Sequence, residues 1–196
     1  GIIAMISSRI VAVAVGLLAG YRGGAIDRIL MILTDSFVIL PLLPILILVA
    51  SILRQSLSVV NLGILLGVFG WAWDARLIRS QVLSLREREF TYTAVLSGMS
   101  TSRIIFREYL PFILPLVTAT AMNNMLWAVG MEVTLAVLGL VSLDISTLGT
   151  MIHWAVNSQS ILLGMWWWIL TPVIICVFVF VALYMLSLTI NEILDP

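Results

Sequence analysis

The sequence contains no lysine. A P-loop uses that residue to hold nucleotide phosphates, so the chain cannot itself supply an ordinary P-loop ATPase. Cys176 is the single cysteine and stands in an apolar run, which excludes an internal disulfide framework and a cysteine metal cluster. Its ordinary role there is that of a small buried or lipid-facing residue. His153 is the single histidine, so no multi-histidine metal site can form in one chain; with Trp154 beside it, an interfacial position or a surface meeting a delivering protein remain its two readings. No Ser/His/Asp set, HExxH helix or catalytically spaced pair of carboxylates occurs, which argues against an intramembrane protease. Charge itself is scarce. Only 10% of the 196 residues are charged, against roughly 25% in soluble domains. The net charge of zero gives no support to nucleic-acid or polybasic lipid binding.

What fills the chain instead is apolar: 62% of residues are hydrophobic, and the mean hydropathy is +1.17. This composition predicts an all-α polytopic membrane protein in one transmembrane domain over residues 1–196. Five spans are expected, at about Gly1 to Ala19, Ile29 to Leu53, Asn61 to Ile78, Phe112 to Leu138 and Ile161 to Leu188. The first is apolar apart from Ser7, Ser8 and Arg9 and lacks the marks of a signal peptide. A glycine-rich loop, Gly20 to Arg28, should follow it. Pro41 and Pro44 should kink the second span, and Gly63 with Gly67 has the small-xxx-small spacing that lets helices approach closely. Trp166, Trp167 and Trp168 open the last span, where their ordinary role is anchoring in the headgroup layer.

The long polar interruption is Ser84 to Pro111. Ser84 and Glu87 have capping-box spacing, and a helix is expected from Leu85 to Ser97, closed by Gly98 in a left-handed turn. Ser100 and Thr101 offer the cap of a second short helix, and Pro111 predicts a bend into the next span. The arginines of this helix-turn-helix are interleaved with Glu87, Glu89 and Glu108, which argues against DNA binding.

In this stretch Tyr92, Thr93, Ala94, Gly98, Leu110 and Pro111 stand in the register of a cytoplasmic motif, E-A-A, three residues, G, nine residues, I-x-L-P. The chain thereby resembles permease subunits of binding-protein-dependent ABC importers. The second alanine, the glycine and the Leu-Pro pair agree; Tyr92, Thr93 and Glu108 replace the acid, the first alanine and the isoleucine. QVLSLREREF, SRIIFREYLPFILP, MEVTLAVLGL, NEILDP and LLAGYRGG resemble the oligopeptide, dipeptide and nickel branch, so the likeness covers nearly the whole chain. It implies a type I ABC importer transmembrane domain with the family's first span missing ahead of Gly1. It also implies that residues 84–111 hold the coupling helix, which would meet an ATPase through Arg86, Glu87, Glu89, Phe90, Tyr92, Thr93, Ala94, Leu96, Ser97 and Gly98. The missing acid at Tyr92 removes one polar contact. Implied partners are a second permease, as a heterodimer, two ATP-binding subunits that hold ATP and Mg, and an extracytoplasmic solute-binding protein meeting the outer connection 139–160. No cofactor is implied in this chain, and the implied location is a prokaryotic plasma membrane. Solutes of the branch include peptides, nickel chelates and oligosaccharides.

With the Ser84 loop cytoplasmic, Arg22, Arg28, Arg76, Arg79, Arg86, Arg88, Arg103 and Arg107 fall inside and Arg54 outside. This satisfies the positive-inside rule and puts the C-terminus inside. Within the spans, Glu132 either hydrogen-bonds a neighbouring helix or lines the solute path. Asn123, Asn124 and Trp127 are candidates for the path lining. Asp35 and Asp74 either sit near membrane faces or pair with Arg76 and Arg79. A passive channel or a scaffold whose loop binds another partner is the alternative function, and a membrane-embedded enzyme is a third that lacks a nucleophile and base.

Overall fold

A computed structural model of the chain describes residues 1–53 and 58–194, nearly all of them helical. Arg54 and Pro196, two markers of the expected topology, lie outside the described residues. Helix α1 (Ile2–Arg22) has 21 residues, about 32 Å at 1.5 Å per residue, enough to cross hydrocarbon. It ends where Gly23 and Gly24 both take positive φ, 64° and 60°. That conformation is open to glycine, and the chain turns there directly into α2 (Gly24–Ile39). The loop expected over Gly20 to Arg28 is therefore a two-glycine corner, and the helix expected from Ile29 begins five residues earlier. Gly20 stays helical because α5 packs against it.

Pro41 does more than kink the second span. It forces Leu40 into an extended conformation, and α2 and α3 (Leu42–Leu53) meet at 77°. The third expected span is also interrupted: α4 (Val59–Gly70) and α5 (Ala72–Arg86) are separated at Trp71, which keeps right-handed helical angles. Alone, the 12 residues of α4 are too short to span. The two helices nevertheless lie parallel to α1 along its length. A Cβ on Gly63 would meet Ile3, one on Gly67 would meet Ser7, one on Gly16 would lie 2.7 Å from Ile78, and one on Gly20 would lie 2.7 Å from Val82. The expected close approach at Gly63 and Gly67 is present, and a second one on α1, at Gly16 and Gly20, completes it.

The polar stretch folds differently from the expected capping box. Ser84 lies inside α5, which ends at Arg86, and a tight turn at Glu87 and Arg88 leads into the eight-residue α6 (Glu89–Leu96). The Glu87 and Arg88 amides donate to Ser84 and Leu85 carbonyls, so the apolar span carries α5 through the cap that local chemistry offered. After α6 comes α7 (Thr101–Arg103), a π-helical stretch over Ile104–Tyr109, and α8 (Leu110–Val137). These run on as one 37-residue helix, which Pro111 does not interrupt. A proline lacks the N–H and crowds the carbonyl four residues back, and the wider π turn stands immediately before it.

Beyond α8, Gly139 (φ 72°) turns the chain into the connection to α10, which contains α9 (Leu148–Asn157), capped reciprocally by Thr147 and Thr150. The last helix, α10 (Trp167–Leu194), starts within the tryptophan cluster rather than at Ile161. Among the described residues three helices are long and apolar enough to cross a membrane, or four if α2 and α3 count as one bent span. Helix α1 is the centre of the bundle, packed on α5, α4, α8 and α2, while α10 touches α8 and α9 and leaves most of its surface open.

Gly16→Ala places a methyl against Ile78 and the Ala75 carbonyl, whereas a Cβ on Gly130 would meet only Phe180 at 3.7 Å. Gly16→Ala is expected to destabilise the protein by about 1–3 kcal/mol, with Gly130→Ala near neutral. Thermal unfolding of both variants in the same detergent checks this contrast.

Candidate functional site

Helix α6 sits at the end of the bundle where α1 and α5 finish and α7 begins. Its inner face is Thr91 and Ala94, both buried. Thr91 Oγ1 donates to the Leu85 carbonyl at 2.8 Å and lies 3.2 Å from the Tyr109 hydroxyl. Phe90 is half-buried and stacks on Phe112, with ring centroids 5.3 Å apart, so it faces its own chain. The outer face carries Tyr92, Val95 and Leu96, the last 88% exposed. Thr93 and Ser97 are exposed and bond back to carbonyls four residues earlier. Arg86, Glu87 and Glu89 are exposed at the α5–α6 turn. Gly98, at φ 72°, ends the helix: its amide donates to Val95 and that of Met99 to Ala94, the paired bonds of a Schellman turn. Tyr21, Arg86, Thr91, Tyr92, Val95 and Leu96 line a groove of about 540 Å³ beside it.

The second constellation lies in the middle of the bundle. Arg9, on α1 and 9% exposed, donates to Asp74 on α5 and Thr120 on α8. One turn along α8, Asn124 accepts from Ser8 Oγ at 3.0 Å and donates to the Gly70 carbonyl at 3.0 Å, at the end of α4. Four helices thus share one polar core. In hydrocarbon each of these groups lacks water, so each must find protein. Beside this core is a cavity of about 380 Å³ whose walls include Asp74, Thr120, Asn123, Asn124 and Trp127 together with Phe37, Phe69 and Trp73. Thr120, Asn123, Asn124 and Trp127 fall at the i, i+3, i+4, i+7 positions of one α8 face.

Residues 12–196 match the family described as binding-protein-dependent transport system inner membrane component. The chain belongs to this family. It is similar to the oligopeptide transport system permease protein OppC of Lactococcus lactis subsp. cremoris strain SK11, 32% identical over 170 residues, 86% of this chain and 58% of that protein. It also resembles OppC of Mycobacterium tuberculosis strain H37Rv, 31% identical over 198 residues, 100% of this chain and 67% of that protein. The chain therefore spans somewhat more than half the length of these relatives. Among solved structures, inward-facing forms of the MetNI methionine ABC transporter superpose with TM-scores of 0.68 and 0.71 at 16% identity, covering 100% and 98% of this chain and 95% and 90% of those chains. The fold is that of a type I ABC importer transmembrane domain.

For this permease-family chain, three of the four candidate path residues, Asn123, Asn124 and Trp127, come together at the cavity. Glu132 does not. It is half-buried on α8, and among the described residues its Oε1 has no hydrogen-bond partner. Asp35 pairs with Arg76, and Asp27 with both nitrogens of the Arg79 fork, joining α2 to α5; Asp74 takes Arg9 instead of a neighbour on its own helix. Arg9 and Thr120 were not anticipated as site residues. The signal for Arg9 was available, since an arginine in an apolar run must find a counter-charge. Thr120, one of three threonines on a long helix, carried none.

Asp74→Asn is expected to destabilise the chain by about 3–5 kcal/mol by leaving the buried guanidinium without a counter-charge. The double variant Arg9→Met/Asp74→Leu should recover most of that loss. A double-mutant cycle on thermal unfolding gives the coupling, and additive losses would mean that the pair contributes nothing as a pair.

Proposed function

We propose that this chain is one of two permease subunits of an ATP-driven importer of peptides or similar small solutes, and that α6 is its coupling helix. The observation that carries the reading is the outward apolar face of α6, Tyr92, Val95 and Leu96, on a short helix ended by the Gly98 turn and bordered by a groove. Such a face needs a partner. The partner is a cytoplasmic ATPase subunit, one of two that bind ATP and Mg, with Arg86, Glu87 and Glu89 as its polar contacts. Phe90, Thr91 and Ala94 act on the inner side and tie α6 to α5 and α8. Moving the ATPases then moves α6, and with it α5 and α8, two of the helices that share the polar core with α1.

Asn123, Asn124 and Trp127 face the solute path in this reading, with Glu132 about 7 Å further along α8 from Trp127. An extracytoplasmic binding protein delivers solute at the outer connection, and the C-terminus is cytoplasmic. The similarity to oligopeptide permeases supports the solute class, and the family description supports the inner-membrane location.

Coexpression of the full-length permease with its second permease and ATPases tests the assignment. Leu96→Cys should crosslink to an ATPase subunit. Leu96→Glu replaces about 1.5–3 kcal/mol of apolar burial with a charge and should cut solute uptake at least tenfold while the permease pair still assembles. Absence of the crosslink, or normal uptake by the glutamate variant, overturns the coupling role.

A further inference from the structure

We propose that the cavity between α2, α4, α5 and α8 is a site for an organic ammonium group, filled during transport by the free amino group of the solute. This rests on the path reading above and adds the chemistry that the path selects. Four aromatic side chains, Phe37, Phe69, Trp73 and Trp127, line the cavity together with the Asp74 carboxylate and the Asn123 amide. Aromatic faces attract a cation through their quadrupole, and a desolvated site strengthens the attraction. A carboxylate adds a charge-assisted hydrogen bond.

The disposition of Asp74 leaves it able to do so. Arg9 takes Oδ2 from the side of α1, and among the described residues Oδ1 accepts no hydrogen bond. Asp74 itself forms part of the cavity wall, while Arg9 does not. An ammonium in the cavity therefore meets the carboxylate and the aromatic side chains of the wall first, with the guanidinium behind the carboxylate. On α5, Arg76 and Arg79 are occupied by Asp35 and Asp27. Asn123 is exposed, and among the described residues its side chain makes no hydrogen bond, so its carbonyl supplies a second acceptor. A cavity of about 380 Å³ is within the ordinary range of small-molecule sites. The same chemistry would accept the ammonium of a phosphatidylethanolamine headgroup, so the test separates the two sources.

The full-length permease complex is reconstituted in nanodiscs of phosphatidylglycerol alone, which brings no ammonium headgroup. It is titrated with alanyl-alanine and with N-acetyl-alanyl-alanine, reading tryptophan fluorescence. The free-amine dipeptide should give a saturable change that the acetylated one lacks. Asn123→Leu, which leaves the Arg9–Asp74 pair in place, should weaken that response about tenfold, and Trp127→Phe should reduce its amplitude. Equal responses to both peptides, or an unchanged response in Asn123→Leu, overturn the ammonium site. If discs containing phosphatidylethanolamine abolish the dipeptide response, the cavity belongs to lipid and the solute assignment falls. Uptake is measured separately. Free-amine binding that Asn123→Leu weakens, combined with uptake by that variant at the wild-type rate, keeps the ammonium site and overturns the path reading.

Discussion

A guanidinium in the middle of an apolar helix has to be met by a counter-charge from another helix, and the arrangement of this bundle follows from how Arg9 meets that demand. Asp74 supplies the charge and Thr120 a further acceptor, which brings α5 and α8 to α1 at one level. Asn124 extends the network to the end of α4 through the Gly70 carbonyl. Coulombic attraction is strong where the dielectric is low, and so is the penalty for a missing partner. The pair therefore selects one relative placement of three helices. The glycines on α1 and α4 make that placement possible, because side chains at those positions would hold the helices too far apart for the charged groups to reach each other.

The α6 end of the bundle is tied into the same frame by shorter links. Thr91 bonds to the last turn of α5 and lies against Tyr109, and Tyr109 packs edge-on against Tyr21 at the end of α1. Phe90 stacks on Phe112. The α6 residues turned inward are thus an anchor to α5 and α8, and those turned outward form the free face. Through the π-helical stretch before Pro111, α7 and α8 run on as one continuous helix.

Much of this was legible from composition and spacing. Apolar runs announced the helices, Pro41 announced a break, Gly98 announced the turn that ends α6, and the Gly63 and Gly67 spacing announced a close approach. These are local rules, in which a residue's own backbone freedom or missing N–H sets the outcome. Where local rules misled, a longer-range demand had won. The Ser84 capping box gave way because α5 continues through it, burying Val82 and Leu85 against the core. Gly20 did not open a loop because α5 lies against it.

By itself the sequence determined that the chain is a helical membrane protein, that its backbone departs from helix near Pro41 and turns at Gly98, and that it resembles importer permeases. Lipid leaves a long apolar segment one way to satisfy its backbone, and glycine and proline act on their own neighbours. Only the tertiary structure decided that Asp74 answers Arg9 rather than Arg76 or Arg79, that Phe90 faces inward while Leu96 faces out, and that Asn123 shares a cavity with Asp74. Each of those depends on which helices lie side by side and how each is rotated, and that is settled by the packing of residues far apart in the chain.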